Sequence, residues 1–300
     1  MARTNLSLPL LAALPLLAAL LGVACLSLMD AFMKGASLAV GAYSAALLRA
    51  VIGAVIMLPV WAVAGLRRPP PKAMKLHAER GVVSCFMALT FFYALTKLPI
   101  AETIAISFVA PLIALYLARI LLGEEIRPAA VWGSVLGFCG TIVIVWGRLG
   151  RSDLDQEALL GLAAITVSAL LYAYNFIVIR RQSVVAGPAE IAFFHSFVTA
   201  VILGVVAPFF FVNPDATVLF HTGTAAVLTV AGSMAIAWAY ARAEAQHLVP
   251  MEYSGFLWAS LFGWLFFREA PAAATILGTA LIVAGCLIAA RRKRPEQTMA

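Results

Sequence analysis

Apolar residues run through this chain in about ten blocks, each helix-length and separated from the next by a short polar break. A bilayer core is crossed by roughly 20 apolar residues as a helix, or by about 10 alternating residues as a barrel strand. The blocks here are continuous, not alternating. In hydrocarbon the backbone must satisfy its own hydrogen bonds, so such blocks form helices. The pattern predicts spans at 9–31, 41–64, 80–97, 101–121, 128–147, 157–179, 189–210, 221–241, 249–267 and 272–290. The weakest break is Lys97-Leu98-Pro99-Ile100, and span 9 is interrupted by Gly255 and Gly263. The expected fold class is an all-α membrane protein with ten transmembrane helices. Leu8–Met29 is long enough to be a retained first span, not a cleaved signal.

Composition leaves no room for a separate soluble enzyme domain. Of 300 residues, 63% are hydrophobic and 12% charged, with a mean hydropathy of +0.99. The net charge of +7 would suggest nucleic acid in a soluble protein, but its placement gives another account. With the N terminus in the cytoplasm and strict alternation, fifteen of the twenty-one Lys and Arg residues fall inside. They include Arg67, Arg68, Lys72, Lys75 and Arg80, the pair Arg180 and Arg181, and the tail Arg291, Arg292, Lys293 and Arg294. This is the positive-inside bias. It places both termini in the cytoplasm, with 291–300 as a basic anchor that also meets anionic lipid. Cys25, Cys85, Cys139 and Cys286 all lie within apolar blocks without a C-x-x-C spacing, so neither a metal nor a redox site is expected.

The two halves resemble each other. Tyr93-Ala-Leu-Thr-Lys precedes Glu124 by 31 residues, and Tyr240-Ala-Arg-Ala-Glu precedes Glu269 by 29. A glycine-rich helix follows each glutamate. Five spans per half, at 9–147 and 157–290, force the second copy to enter the membrane upside down. Inverted repeats are a mark of secondary transporters.

On these features the chain resembles the drug/metabolite transporter superfamily, in its EamA-type ten-helix branch. The marks are Pro99-Ile100-Ala101-Glu102, Phe108-x-x-Pro111 and Leu-Gly-Glu124-Glu125 in the first half. The second half has Pro250-x-Glu252-Tyr253, Trp258, Arg268-Glu269 and Gly278 to Gly285. Where the family often has Leu-x-Gly-Glu before its last helix, this chain has Phe267-Arg268-Glu269. The resemblance implies an inner-membrane carrier with alternating access, a central cavity between the repeats and no ATPase domain.

Ionisable groups inside spans are candidates for function. Asp30 and Lys34 are spaced to pair on one helix, and Asp30 is also the obvious partner for Arg49 in span 2. Arg49 reads either as a structural lock or as a contact for a substrate carboxylate. His195, among Phe193, Phe194 and Phe197, is a candidate for proton coupling or for a hydrogen bond between helices. Glu102 and Thr103 are expected to start span 4, and Glu124, Glu125 and Glu269 to serve as turn and cap residues. The candidate cavity set is Phe86, Thr90, Ser107, Tyr172, Asn175, Trp238, Tyr253 and Trp258: rings for a planar or amphipathic solute, with polar groups to orient it. Gly133 and Gly137 form a G-x-x-x-G pair, expected to seal the first repeat internally or else to form a dimer surface. No catalytic residues, metal or cofactor are expected.

The leading expectation is a secondary transporter exporting amino acids, aromatic ones included. Import of S-adenosylmethionine or a riboflavin-like metabolite is the alternative. Partners are a small-molecule solute, a proton as candidate coupling ion, and lipid, with no nucleic acid; the protein is a monomer or homodimer. An intramembrane enzyme and a non-transporting subunit are the readings of another class.

Overall fold

The computed structural model of the chain describes residues 7–65, 68–123, 128–149, 156–240, 242, 251 and 253–290. Glu124, Glu125, Glu252 and the tail at 291–300 lie outside them. The regular elements among the described residues are all helices. They are α1 (Ser7–Val63), α2 (Pro71–Lys97), α3 (Ile100–Ser107), α4 (Ala110–Leu122) and α5 (Pro128–Leu149). Then follow α6 (Gln156–Ser183), α7 (Pro188–Phe210), α8 (Ala216–Tyr240), α9 (Gly255–Phe267) and α10 (Ala273–Ala290). Six segments, with α3 and α4 taken together, are long and apolar enough to cross a membrane; α5, α9 and α10 carry shorter apolar stretches. Large apolar side chains such as Leu21, Val55, Trp132, Trp146 and Phe209 are exposed on the surface. A soluble protein does not tolerate that much exposed apolar surface, whereas a bilayer solvates it.

Three features differ from the hydrophobic pattern. The polar break expected at 32–40 is helical: α1 runs on through Lys34 and changes direction at Gly41, where φ is 81° and ψ 156°. This backbone region is open to glycine and costs other residues about 1–3 kcal/mol, so Gly41 divides α1 into two limbs. Span 3 begins earlier than expected. Pro71 sits at the first helical position, where its missing N–H leaves no intrahelical bond unmade. The helix therefore carries His77 and Arg80 on its first turns. The expected span 4 is two helices. Pro111 has no N–H to offer Ser107, and the chain turns at Phe108 and Val109 before α4 starts.

Helices meet where small residues let backbones approach. The first limb of α1 crosses α8 at Gly22 and Gly232, whose added Cβ atoms would lie 2.9 and 2.8 Å from each other's carbonyl oxygen. The second limb runs against α7: Ser196 Oγ is 3.0 Å from where a Cβ on Gly53 would sit, and the Val212 N–H donates to Ser44 Oγ at 3.0 Å. α2 and α6 pack antiparallel, from the Lys97–Glu157 ion pair at one end to Arg80 and Gln182 at the other. α5 and α10 are in backbone contact. A Cβ on Gly140 would meet the Gly278 oxygen at 2.4 Å, and one on Gly285 the Gly133 oxygen at 2.3 Å. The glycine stripe packs within its own half, where a Cβ on Gly137 would meet the Leu112 side chain of α4 at 2.1 Å, and it also fastens the fifth helix of the first half to the last helix of the second, so it does not lie free for a second copy.

Candidate functional site

Two polar closures and a polar centre stand out in a bundle that is otherwise apolar. At one end, Lys34 from α1 donates to the Leu98 carbonyl at 2.8 Å and pairs with Glu269, which follows α9. The second carboxylate oxygen of Glu269 accepts the Ile100 N–H at 2.8 Å. That N–H is one of the groups the first turn of α3 cannot satisfy internally. Glu269 is thus a cap, as expected, but for a helix across the bundle and not for its own turn. Lys34 turns away from Asp30, correcting the expected pair, because a carbonyl and a carboxylate converge on it from α2 and α9. Glu102 lies in the first turn of α3 with its side chain buried, and Thr103 donates to the Pro99 carbonyl at 3.0 Å.

At the other end a relay crosses α2, α6 and α7. Arg80 donates to Asn175 at 3.3 Å and to Gln182 Oε1 at 3.1 Å. With that oxygen occupied, the Gln182 amide N–H faces His77 Nδ1 at 2.6 Å. His77 Nε2 therefore carries the proton and donates to Glu190 at 2.8 Å. His77 also stacks on Phe194, with ring centroids 4.6 Å apart. The sequence reading missed this relay because it began the span at Arg80 and so treated Arg80 and His77 as loop residues. Pro71 at the helix start was the signal.

Between the closures lies a cavity of about 30 Å³, lined by Arg49, Ser84, Met87, Ala88, His195 and Thr199. The Arg49 guanidinium stands over Phe92, 5.3 Å from the ring centroid. Asp30 and Arg49 are within electrostatic range of each other, and Arg49 and Arg80 of His195. No ion pair of 4.0 Å or less joins Asp30 and Arg49 among the described residues. Arg49 Nε, Ser84 Oγ and His195 Nδ1 are shielded from solvent and have no hydrogen-bond partner there.

The structure thus brings Arg49 and His195 to one cavity, with Asp30 within electrostatic range of Arg49 from the other limb of α1. Of the eight cavity candidates, Asn175 joins this centre, through Arg80. The others are spread more widely. Phe86 and Tyr172 face outward, Tyr172 stacking on Phe176. Thr90 and Ser107 donate to carbonyls of their own helices. Trp238 is half exposed beneath the Arg242 guanidinium, 4.2 Å from its ring. Tyr253 meets Phe108 edge-on at 5.4 Å, and Trp258 stacks on Phe262 with its indole N–H buried and unpartnered. A larger groove of about 400 Å³ lies between α5 and α10, lined by Trp146 and aliphatic residues such as Ile142 and Leu277. It offers little to orient a polar solute.

Comparison with known proteins bears on what a bundle of apolar helices around such a polar centre does. The EamA-like transporter family matches residues 13–146 and again 159–291. The chain belongs to that family. It is 26% identical over 272 residues to the pseudopaline exporter CntI of Pseudomonas aeruginosa, covering 89% of this chain and 93% of the exporter. It is 24% identical over 271 residues to the S-adenosylmethionine uptake transporter of Rickettsia prowazekii, covering 89% of each. A riboflavin transporter of Rhizobium johnstonii is 27% identical over 218 residues, 72% of this chain and 70% of that one. A solved crystal structure with 23% identity superposes with a TM-score of 0.62, over 91% of this chain and 96% of the other, and so shares the fold. This EamA-like protein is therefore a multi-pass membrane protein of a transporter family, and its named relatives are transporters of small molecules.

Proposed function

We propose that the chain is a secondary transporter of small organic metabolites. It works by alternating access in a bacterial inner membrane, with both termini cytoplasmic. The observation that carries this reading is the polar centre around Arg49, His195 and Asp30, sealed at one end by Lys34 and Glu269 and at the other by the Arg80 relay. Charged groups inside a membrane bundle are costly and mark solute or ion paths. A metabolite needs a pocket of about 300–1,000 Å³. The central space of about 30 Å³ has room for about one or two waters, so helices must part for a solute to enter. The two closures would part in turn.

The helix pairing supports ten spans arranged as two inverted repeats. Counting each limb of α1 as a span, and α3 with α4 as one, the pairs in contact include 1 with 8, 3 with 6, 2 with 7, 4 with 9 and 5 with 10. A two-fold axis that exchanges each span with the one five places on carries 1·8 into 6·3 and maps the other three pairs onto themselves. The two family matches, at 13–146 and 159–291, agree with that division. Such symmetry allows two related packings, one open to each side.

The relatives' named solutes are pseudopaline, S-adenosylmethionine and riboflavin. They favour a metabolite of that range and give amino-acid export no support. The test is flux in proteoliposomes of purified protein. Labelled S-adenosylmethionine, riboflavin, phenylalanine, threonine and methionine would each be followed with and without a pH gradient. Saturable flux of one solute, several-fold above empty vesicles, is expected. Flux at the empty-vesicle level for all five, from monodisperse protein, counts against the reading.

A further inference from the structure

We propose that Arg49, with Ser84 and His195, binds a carboxylate group of the transported solute. The inference rests on the transporter reading and specifies its site.

The argument starts from what each group lacks. A guanidinium is always charged and offers five N–H donors in a planar fork. Arg49 makes no hydrogen bond among the described residues, and its Nε is shielded from solvent. Phe92 supports the cation through the face of its ring. That contact supplies no acceptor, so the donors along the edge of the guanidinium are left without one. Ser84 Oγ and His195 Nδ1 are unpartnered too, and all three residues line the same small cavity. An arginine fork, a hydroxyl and an imidazole nitrogen that can carry a proton make a donor-rich set. Its natural complement is a planar group that only accepts, and a carboxylate takes a guanidinium in bidentate fashion.

The surroundings agree. Arg80 is spoken for by Asn175 and Gln182, and Lys34 by Leu98 and Glu269, so each of these other two cations inside the bundle has acceptors. Asp30 lies close enough to offset the Arg49 charge through space, yet it does not engage the fork. The cavity has the size of a carboxylate, not of a whole metabolite. The rest of the solute would occupy space that opens when the helices part.

A structural lock and a binding group behave differently when removed. Purified full-length protein, wild type and Arg49→Gln, would be melted alone and with methionine, phenylalanine and S-adenosylmethionine. The carboxamide of each and riboflavin complete the set. Without solute, Arg49→Gln is expected to melt within a few degrees of wild type, since no hydrogen bond is lost and only the Phe92 ring contact and the through-space attraction to Asp30 go. At least one carboxylate should raise the wild-type Tm by several degrees, with its carboxamide at least tenfold weaker. Arg49→Gln should weaken that carboxylate at least tenfold, and Ser84→Ala a few-fold at unchanged unliganded Tm. The proposal is overturned if Arg49→Gln melts several degrees below wild type, or if acid and carboxamide bind alike. It is equally overturned if the variant keeps wild-type affinity, or if none of the carboxylates binds. Riboflavin flux in proteoliposomes alongside any of these results would sink the carboxylate site and leave the transporter reading standing.

Discussion

Glu269→Ala is expected to be among the most damaging single substitutions in this protein, costing about 3–5 kcal/mol, the range for removing one partner of a buried ion pair. The Lys34 side chain is 6% exposed, and without Glu269 its ammonium keeps the Leu98 carbonyl and the face of the Phe267 ring but no counter-charge. The Ile100 N–H loses its acceptor as well, at the start of a helix with no side-chain cap of its own. Lys34→Met should cost less, because the Glu269 side chain is 18% exposed and still accepts from Ile100. The double variant Lys34→Met with Glu269→Gln should recover much of the loss, since the buried charges go together and the glutamine oxygen can still take the N–H. Equilibrium unfolding of wild type, Lys34→Met, Glu269→Gln and the double variant checks this as a double-mutant cycle. A coupling energy above about 1 kcal/mol is expected for groups in direct contact. Additive effects would mean that the contact contributes nothing. The same pair closes one end of the bundle, so the variants should also shift the carrier toward the conformation open at that end.

The second large effect concerns the seam between α5 and α10. A Cβ on Gly285 would sit 2.3 Å from the Gly133 oxygen and 2.9 Å from the Gly137 nitrogen. Both are backbone atoms of a helix and cannot rotate away as a side chain would. Gly285→Ala must therefore push the two helices apart. It should cost at least the 1–3 kcal/mol, roughly, of overpacking a tight core. Gly204 and Gly223 are internal controls, because a Cβ at either meets nothing within 4 Å. Alanine there should be neutral or should stabilise by up to about 1 kcal/mol through helix propensity. The ranking of these melting temperatures is the readout. Equal melting of Gly285→Ala and Gly223→Ala would show that the seam is loose.

The spans were legible because hydrocarbon imposes a simple rule on long apolar segments. Their ends were less so. Nothing in the apolar pattern separates a helix that continues through Asp30 and Lys34 from one that stops there, since Lys34 finds its partners, and Asp30 a counter-charge at longer range, only in the folded bundle. For the same reason Asp30 and Lys34, one turn apart, suggested a pair that the fold does not make. The choice between Asp30 and Glu269 is decided by a contact spanning 235 residues. Arg49, Asp30 and His195 were visible as charges out of place; Arg49 and His195 do share a cavity, with Asp30 within electrostatic range of Arg49. The relay through Gln182 and Glu190 was not visible, because Gln182 falls between two expected spans, Glu190 sits at the edge of one, and their role depends on α2 beginning at Pro71. The aromatic candidates show the limit most plainly. Periodicity places Phe86 and Trp238 on helices but does not say which neighbour covers them, and they prove 56% and 39% exposed.

The central claim is that the polar centre opens to each side in turn, and accessibility of one cavity residue tests it most directly. Ala88 lines the cavity and is not among its hydrogen-bonding groups. In a background with the four native cysteines replaced, Ala88→Cys would be exposed to a membrane-impermeant thiol reagent. The reagent would be added to right-side-out vesicles and, separately, to inverted ones. Alternating access predicts labelling from both sides, with a bound solute slowing it. Labelling confined to one side, or absent from both in folded protein, would contradict the account.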